Sequence, residues 1–262
     1  MILLVAAAAL ESLRVPVLAV LLLGFLAAVL PRRSSGQQPA QHVLVYGACL
    51  VVALNLAWGG VPLSAIIGVG AACADRLAPF AGLRVVGALL VLATLWLVIR
   101  LVRASPSDIG LSWPSREWLI ASVAAVPVVG AGAALLGPWL AEPFFGPISP
   151  PTADLGALVP AIGFALANAT MEEVAYRGAL LRWLAPATGI VNALAVQAFV
   201  FGLAHGFGTD FIGSPLPVMA ATAVAGLVLG ALALRTRSLF LPLAIHVALD
   251  IPVFYGKVCL GT

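Results

Sequence analysis

Apolar residues run along this chain in blocks of about 20, the length a helix needs to cross the hydrocarbon core of a bilayer. The blocks are parted by short polar stretches or by stretches bearing proline and glycine. Reading them as helices predicts eight spans, at 13–31, 42–58, 85–102, 118–138, 155–182, 189–206, 217–234 and 238–256. A transmembrane β-barrel would alternate polar and apolar residues through ten-residue strands, and the unbroken runs here exclude it. The first residues, MILLVAAAAL, have no basic residue ahead of the apolar run and no small-residue cleavage site after it. They are expected to prolong the first helix rather than to act as a cleaved signal peptide, with Glu11 and Arg14 paired one turn apart. The stretch 61–74 is apolar but short and glycine-bearing, and is expected to be re-entrant or interfacial.

Composition agrees with this pattern. Of the 262 residues 63% are hydrophobic and 9% charged, against about 25% charged in soluble domains, so a soluble globular protein is excluded. The fold class expected is all-α: a polytopic membrane protein of about eight transmembrane helices. The formal charge of +3 bears on topology more than on nucleic acid, because basic residues mark cytoplasmic loops. Arg32, Arg33, Arg100, Arg103, Arg116, Arg182, Arg235 and Arg237 alternate with loops at 139–154 and 207–216 that carry only acids. Eight spans with both termini outside satisfy this alternation, with Arg14, Arg76, Arg84 and Lys257 as exceptions. The three cysteines, Cys49, Cys73 and Cys259, have no paired spacing and imply neither a disulfide framework nor a zinc ribbon. The serine- and proline-rich linker at 105–117 divides residues 1–104, where Asn55 is the main polar intruder, from residues 105–262, where polar side chains cluster.

Those polar side chains carry the candidate chemistry. A charged side chain at the centre of a membrane helix costs about 2.5–3.5 kcal/mol, yet the fifth span holds Glu172, Glu173 and Arg177 and the eighth holds Asp250. Left unpaired, these four would cost on the order of 10 kcal/mol, comparable to the stability of a whole domain. They must pair or face water. Glu173 and Arg177 are four apart on one helical face, as are Phe201 and His205, and His246 and Asp250. In a soluble helix the glutamate–arginine pattern would be a solvated salt bridge; within a span, ionisable groups on three helices point to one shared cavity. Asn168, Asn192 and Gln197 are expected to bridge helices.

In this order the motifs Glu172-Glu173-x-x-x-Arg177, Phe201-x-x-x-His205 and His246-x-x-x-Asp250 resemble those of the CPBP intramembrane endopeptidases, the family that includes the CaaX prenyl proteases of the Rce1 type and the Abi proteins. The resemblance covers about residues 105–256, including the Asp108-Ile109-Gly110-Leu111 stretch of the linker, and implies an Rce1-like core. It implies peptide hydrolysis, with Glu172 as general base, His205 holding the same water, His246 donating to the oxyanion, and Arg177 compensating Glu173. Asp250 stands where the prenyl-protease branch has asparagine. It either accepts from the ring of His246, is protonated, or binds a metal.

On the glutamic-type reading no cofactor is required. The alternative is zinc held by Glu172, His205, His246 and Asp250, which would lower the pKa of its water to about 7; no HExxH motif is present. The partners implied are the lipid bilayer and a membrane-embedded or lipid-modified peptide substrate, with no nucleic acid. The arginine- and alanine-rich, lysine-poor composition points to a prokaryotic cell membrane. Two readings compete: a non-catalytic immunity or self-protection protein that only binds, and a proton-coupled transporter. The second would show repeated halves, whereas the chemistry here lies in one half.

Overall fold

The computed structural model describes residues 1–34, 40–59, 73–145, 155–206 and 214–259, among which there is no strand. The helices are α1 (Ile2–Ala9), α2 (Arg14–Ser34), α3 (Gln41–Gly59), α4 (Cys73–Val102), α5 (Arg116–Phe145), α6 (Leu155–Glu172), a π-helical stretch (Glu173–Leu180) running into α7 (Leu181–Thr188), α8 (Ile190–His205), α9 (Leu216–Thr236) and α10 (Phe240–Cys259). Each of the eight expected spans falls on one helical stretch. By length and composition α2, α3, α4, α5 and α9 can each cross a bilayer, while α8 and residues 240–252 of α10 are shorter apolar helices. The protein is an all-α polytopic membrane protein.

Three boundaries differ from expectation, each for a physical reason. Residues 1–12 do not prolong the first span: α1 stops at Ala9, Leu10 is extended (φ −129°, ψ 110°), and a 3₁₀ turn at Glu11–Leu13 leads into α2. Pro16 favours the break, because it has no N–H for the carbonyl of Ser12 and its ring crowds that group, and it sits most easily in the first turn of α2. The expected Glu11–Arg14 pair rests on a Glu11 side chain outside the described residues; Arg14 itself is buried. Helix α4 begins at Cys73 rather than at residue 85, so Arg84 lies well inside it. The expected uninterrupted α-helix over 155–182 changes winding at Glu173 and continues to Thr188. The expected interfacial piece at 61–74 lies, apart from Cys73 and Ala74, outside the described residues.

The helix carrying the glutamates is central. Helices α4 and α10 pack along α6, and α3 and α8 pack against the π-helical stretch. The main apolar core draws on both sides of the 105–117 linker, from Phe25 and Leu95 to Met171 and Leu180. Helices α8 and α9 are held at close quarters by small residues. A Cβ at Gly202 would stand 2.6 Å from the carbonyl oxygen of Met219 and 2.7 Å from Cβ of Ala223, so only glycine lets the two backbones approach. Gln197 Nε2 donates to the carbonyl of Gly226 across the same contact at 2.8 Å. Replacing Gly202 by Ala should overpack this crossing by about 1–3 kcal/mol. That is worth roughly 2–4 °C of Tm per kcal/mol for a chain of this class, measurable by thermal unfolding in detergent.

The linker is stapled to the end of the bundle near the site helix. Asp108 Oδ2 accepts the Ser105 N–H at 2.7 Å and closes the 3₁₀ turn Pro106–Ile109. Gly110 ends that turn at φ +79°, a conformation other residues adopt only with strain, and its carbonyl accepts the N–H of Leu239 at 3.1 Å. Ser238 Oγ donates to the carbonyl of Ser112 at 2.8 Å, and Ser112 Oγ to that of Arg237 at 3.0 Å. Ile109 is fully buried, and its carbonyl oxygen lies 3.1 Å from where Gly178 would carry a Cβ. The linker thereby fixes the position of the π-helical stretch.

Candidate active site

Local geometry at the glutamates departs from α-helical. The N–H of Leu181 bonds to the carbonyl of Tyr176, five residues back, and every residue from Glu173 to Leu180 is buried. Nothing in local propensity asks for this winding. The contacts made by Glu173, Arg177 and Gly178 with other elements override it, and π-helical turns of this kind occur mostly at functional sites. The adjacent carboxylates of Glu172 and Glu173, one at the end of the α-helical winding and one at the start of the π, address different faces of the same histidine.

That histidine is His246 on α10. Its Nδ1 lies 2.8 Å from Glu173 Oε1, a hydrogen bond in which the ring donates and the carboxylate accepts. Its Nε2 lies 3.6 Å from Glu172 Oε2 and 3.7 Å from Asp250 Oδ1. Arg177 Nη1 is 3.0 Å from the same Oε1 of Glu173, an ion contact whose angles are poor for a hydrogen bond. The Arg177 guanidinium lies 4.0 Å over the Phe201 ring, so the cation is held by a carboxylate and an aromatic face together. Phe201 also meets Tyr176 edge-on and sits 4.5 Å from the His205 ring. The phenylalanine of the Phe201-x-x-x-His205 pattern therefore roofs the arginine and braces the histidine.

His205, the last residue of α8, places Nε2 at 4.0 Å from Glu172 Oε2, while its Nδ1 bonds at 2.8 Å to the carbonyl oxygen of Phe201. That bond gives Nδ1 the proton and makes Nε2 the acceptor. Glu172 Oε2 is buried with no hydrogen-bond partner among the described residues. The histidine nitrogens around it, at 3.6 and 4.0 Å, are too far for direct hydrogen bonds and near enough for one water to touch a carboxylate and an imidazole at once. Glu172, Glu173, Arg177, His205, His246 and Asp250 thus form one connected cluster contributed by α6 with its π-helical continuation, α8 and α10.

Two contributors are not singled out by the sequence. Asn168 does bridge helices, and it does so at the site: its Nδ2 donates to Asp250 Oδ2 at 2.9 Å. Arg84 of α4, an exception in the charge asymmetry, lies 5.8 Å over the ring of Phe164. Spacing holds a signal for the first, since Phe164, Asn168 and Glu172 are four apart and share one face of α6. Of the three roles left open for Asp250, the one that can be set against a distance is acceptance from the His246 ring. Asp250 Oδ1 stands beyond hydrogen-bond reach of Nε2, and Glu173 holds the opposite nitrogen.

Two histidines and two carboxylates are a chemically suitable zinc donor set, but the fit is poor. A zinc tetrahedron with ligands at 2.0–2.1 Å has donor–donor edges of about 3.3 Å, and the Glu172–His205, Glu172–His246 and His246–Asp250 separations are 4.0, 3.6 and 3.7 Å. Among the described residues no group of histidine, cysteine and carboxylate side chains is arranged to hold a metal.

Comparison with known proteins finds one family model similar to the segment that carries this cluster. Residues 154–252 match the Rce1-like family of type II CAAX prenyl endopeptidases. All six clustered residues and Asn168 lie within the Rce1-like segment; Arg84 and the first four spans lie outside it. Neither a curated protein nor a solved structure matches the chain. The Rce1-like segment ends two residues beyond Asp250, so the match and the cluster describe the same helices.

Proposed function

We propose that this protein is an intramembrane endopeptidase of the CAAX-protease type, hydrolysing a peptide bond of a membrane-associated or lipid-modified substrate with a water activated by Glu172. The observation that carries the reading is the Glu172 Oε2 atom, buried and without a hydrogen-bond partner among the described residues, with histidine nitrogens from two other helices at water-bridging distance. Glu172 takes a proton from the water, His205 Nε2 orients it, and the resulting hydroxide attacks the peptide carbonyl carbon. The tetrahedral oxyanion accepts a hydrogen bond from His246 Nε2. In that role His246 carries a proton on each nitrogen, with Glu173 holding the one on Nδ1. Glu172 then passes its proton to the leaving amine as the C–N bond breaks, giving one new carboxylate and one new amine terminus.

Around these groups Glu173 and Arg177 position His246, and Asn168 anchors Asp250 beside it. No step runs through a metal. Incubation with a strong chelator followed by desalting is expected to leave turnover within about twofold of untreated enzyme, whereas removing a zinc-activated water would cost several kcal/mol of transition-state stabilisation. Loss of activity restored by added zinc would assign the water to a metal instead. The long apolar helices make the protein integral to a membrane, and the arginine-rich composition supports a prokaryotic one.

The decisive experiment maps new N- and C-termini by mass spectrometry in membranes expressing either wild type or Glu172→Gln. Termini present only with wild type are expected, and they would deliver the substrate with its cleavage site. Identical profiles from a folded variant with the cellular phenotype intact would sink the enzyme and leave a binding protein of the immunity type.

A further inference from the structure

Helices α6 and α10 meet along one antiparallel seam, and their contacts fall in register. Phe164 meets Phe254 with ring centroids 5.0 Å apart. One turn on, Asn168 Nδ2 donates to Asp250 Oδ2 at 2.9 Å. One turn further, Glu172 Oε2 stands 3.6 Å from His246 Nε2. Each step moves four residues forward on α6 and four back on α10, so a single face of each helix is engaged. The aromatic rung is packed further by Phe80, 5.3 Å from Phe164. The amide–carboxylate rung thus lies between a firm apolar contact and the candidate base.

The middle rung bears on the reaction through His246. Asp250 Oδ1 is 3.7 Å from Nε2, although side chains four apart on one helix are neighbours that can reach hydrogen-bond distance. Glu172 Oε2 approaches the same nitrogen to 3.6 Å. Nε2 therefore lies between two carboxylate oxygens, each beyond hydrogen-bond distance, while Glu173 Oε1 takes the Nδ1 proton at 2.8 Å. The standoff matters, because a proton already donated to Asp250 in the ground state is a poorer donor to a developing oxyanion. Asp250 has further contacts as well. The bond from Asn168 is the one that turns Oδ2 toward α6, and it thereby bears on where Oδ1 stands. Both partners are buried, so bulk water is no ready substitute for the rung.

We infer that Asn168 is a positioning residue of the active site: by holding Asp250 on α6 it keeps that carboxylate off the Nε2 proton of His246, which stays available to the oxyanion. This rests on the endopeptidase reading for its effect on turnover but not for its effect on the His246 ring. Asp250 is then a carboxylate kept near the imidazole without closing on it, and the residue that sets the gap sits one turn before Glu172 on the same helix.

The test compares full-length wild type, Asn168→Leu, Asp250→Ala and the double variant in detergent, with two readouts. Leucine is close to asparagine in size and donates nothing. The first readout is the ring nitrogens of His246 by long-range proton–nitrogen NMR correlation, the three histidines of the chain being told apart by substitution. The second is kcat and KM on the substrate found by terminal mapping. Asn168→Leu is expected to move the Nε2 resonance toward that of a nitrogen donating a strong hydrogen bond, and to lower kcat about tenfold with KM unchanged. In the Asp250→Ala background the same substitution should change neither readout further, because the two residues act as one unit. An unmoved Nε2 resonance in folded Asn168→Leu would overturn the inference. So would equal losses of kcat with and without Asp250, which would make Asn168 independent of it, or a change confined to KM, which would make it a substrate contact. Should Asn168→Leu fail to fold, Asn168→Ala removes the donor without adding atoms and takes its place throughout. If wild type cleaves nothing, the endopeptidase reading has failed separately, and the resonance alone judges Asn168.

Discussion

Glu172→Gln should abolish measurable proteolysis while leaving the protein folded. Glutamine has the shape of glutamate, and the replaced Oε2 makes no hydrogen bond that would be lost among the described residues. Its amide cannot take a proton from water. General-base catalysis by one positioned group contributes about 10²–10⁴-fold, so single-turnover cleavage should fall by that factor with Tm within a degree or so of wild type. Glu172→Asp is the sharper control. It keeps the base and draws it back by about one bond length, and a misplacement of about 1 Å costs on the order of 10²-fold. A glutamine variant that cleaves at the wild-type rate would remove Glu172 from the mechanism whatever the aspartate variant does.

The cluster is legible in the sequence because intramembrane charge is expensive and helical spacing is regular. Glu173 with Arg177, and His246 with Asp250, fall on common faces by their separation of four, and each pair is in contact or nearly so. The break after α1 is readable in principle, since Pro16 disfavours a continuous helix through Ser12. The π-helical winding from Glu173 to Leu180 is not, because it is imposed by partners from α8, α10 and the linker rather than by the segment's own residues. Arg84 escapes a sequence reading for an instructive reason. Counting arginines as loop markers serves topology well, but it reads an arginine inside a span as a boundary, and so moves the expected start of α4 about three turns downstream. Asn168 is legible as a bridge between helices; which carboxylate it bridges to is a property of the packing of α6 on α10, invisible in a single sequence.

The largest effect on stability should come from Arg177→Met. Arg177 and Glu173 are 0% and 1% exposed, so the pair is out of reach of water that could solvate a survivor. Methionine fills much of the same volume beneath Phe201 but leaves Glu173 buried with only His246 for a partner. Breaking a buried ion pair from one side costs about 3–5 kcal/mol, roughly 10 °C in Tm at 2–4 °C per kcal/mol, measurable by thermal unfolding in detergent. Lysine should not rescue it fully, because an ammonium lacks the flat face that lies 4.0 Å over Phe201. The double variant Glu173→Gln, Arg177→Met separates the two roles of the pair. With no charge left uncompensated, it should recover most of the stability lost by Arg177→Met. Glutamine can still accept from His246 Nδ1, but without the charge that favours a doubly protonated ring, so turnover should stay low. A double variant as unstable as Arg177→Met would mean that the guanidinium contributes through Phe201 packing rather than through Glu173. A coupling energy near zero in the same cycle would place the pair outside the positioning of His246 altogether.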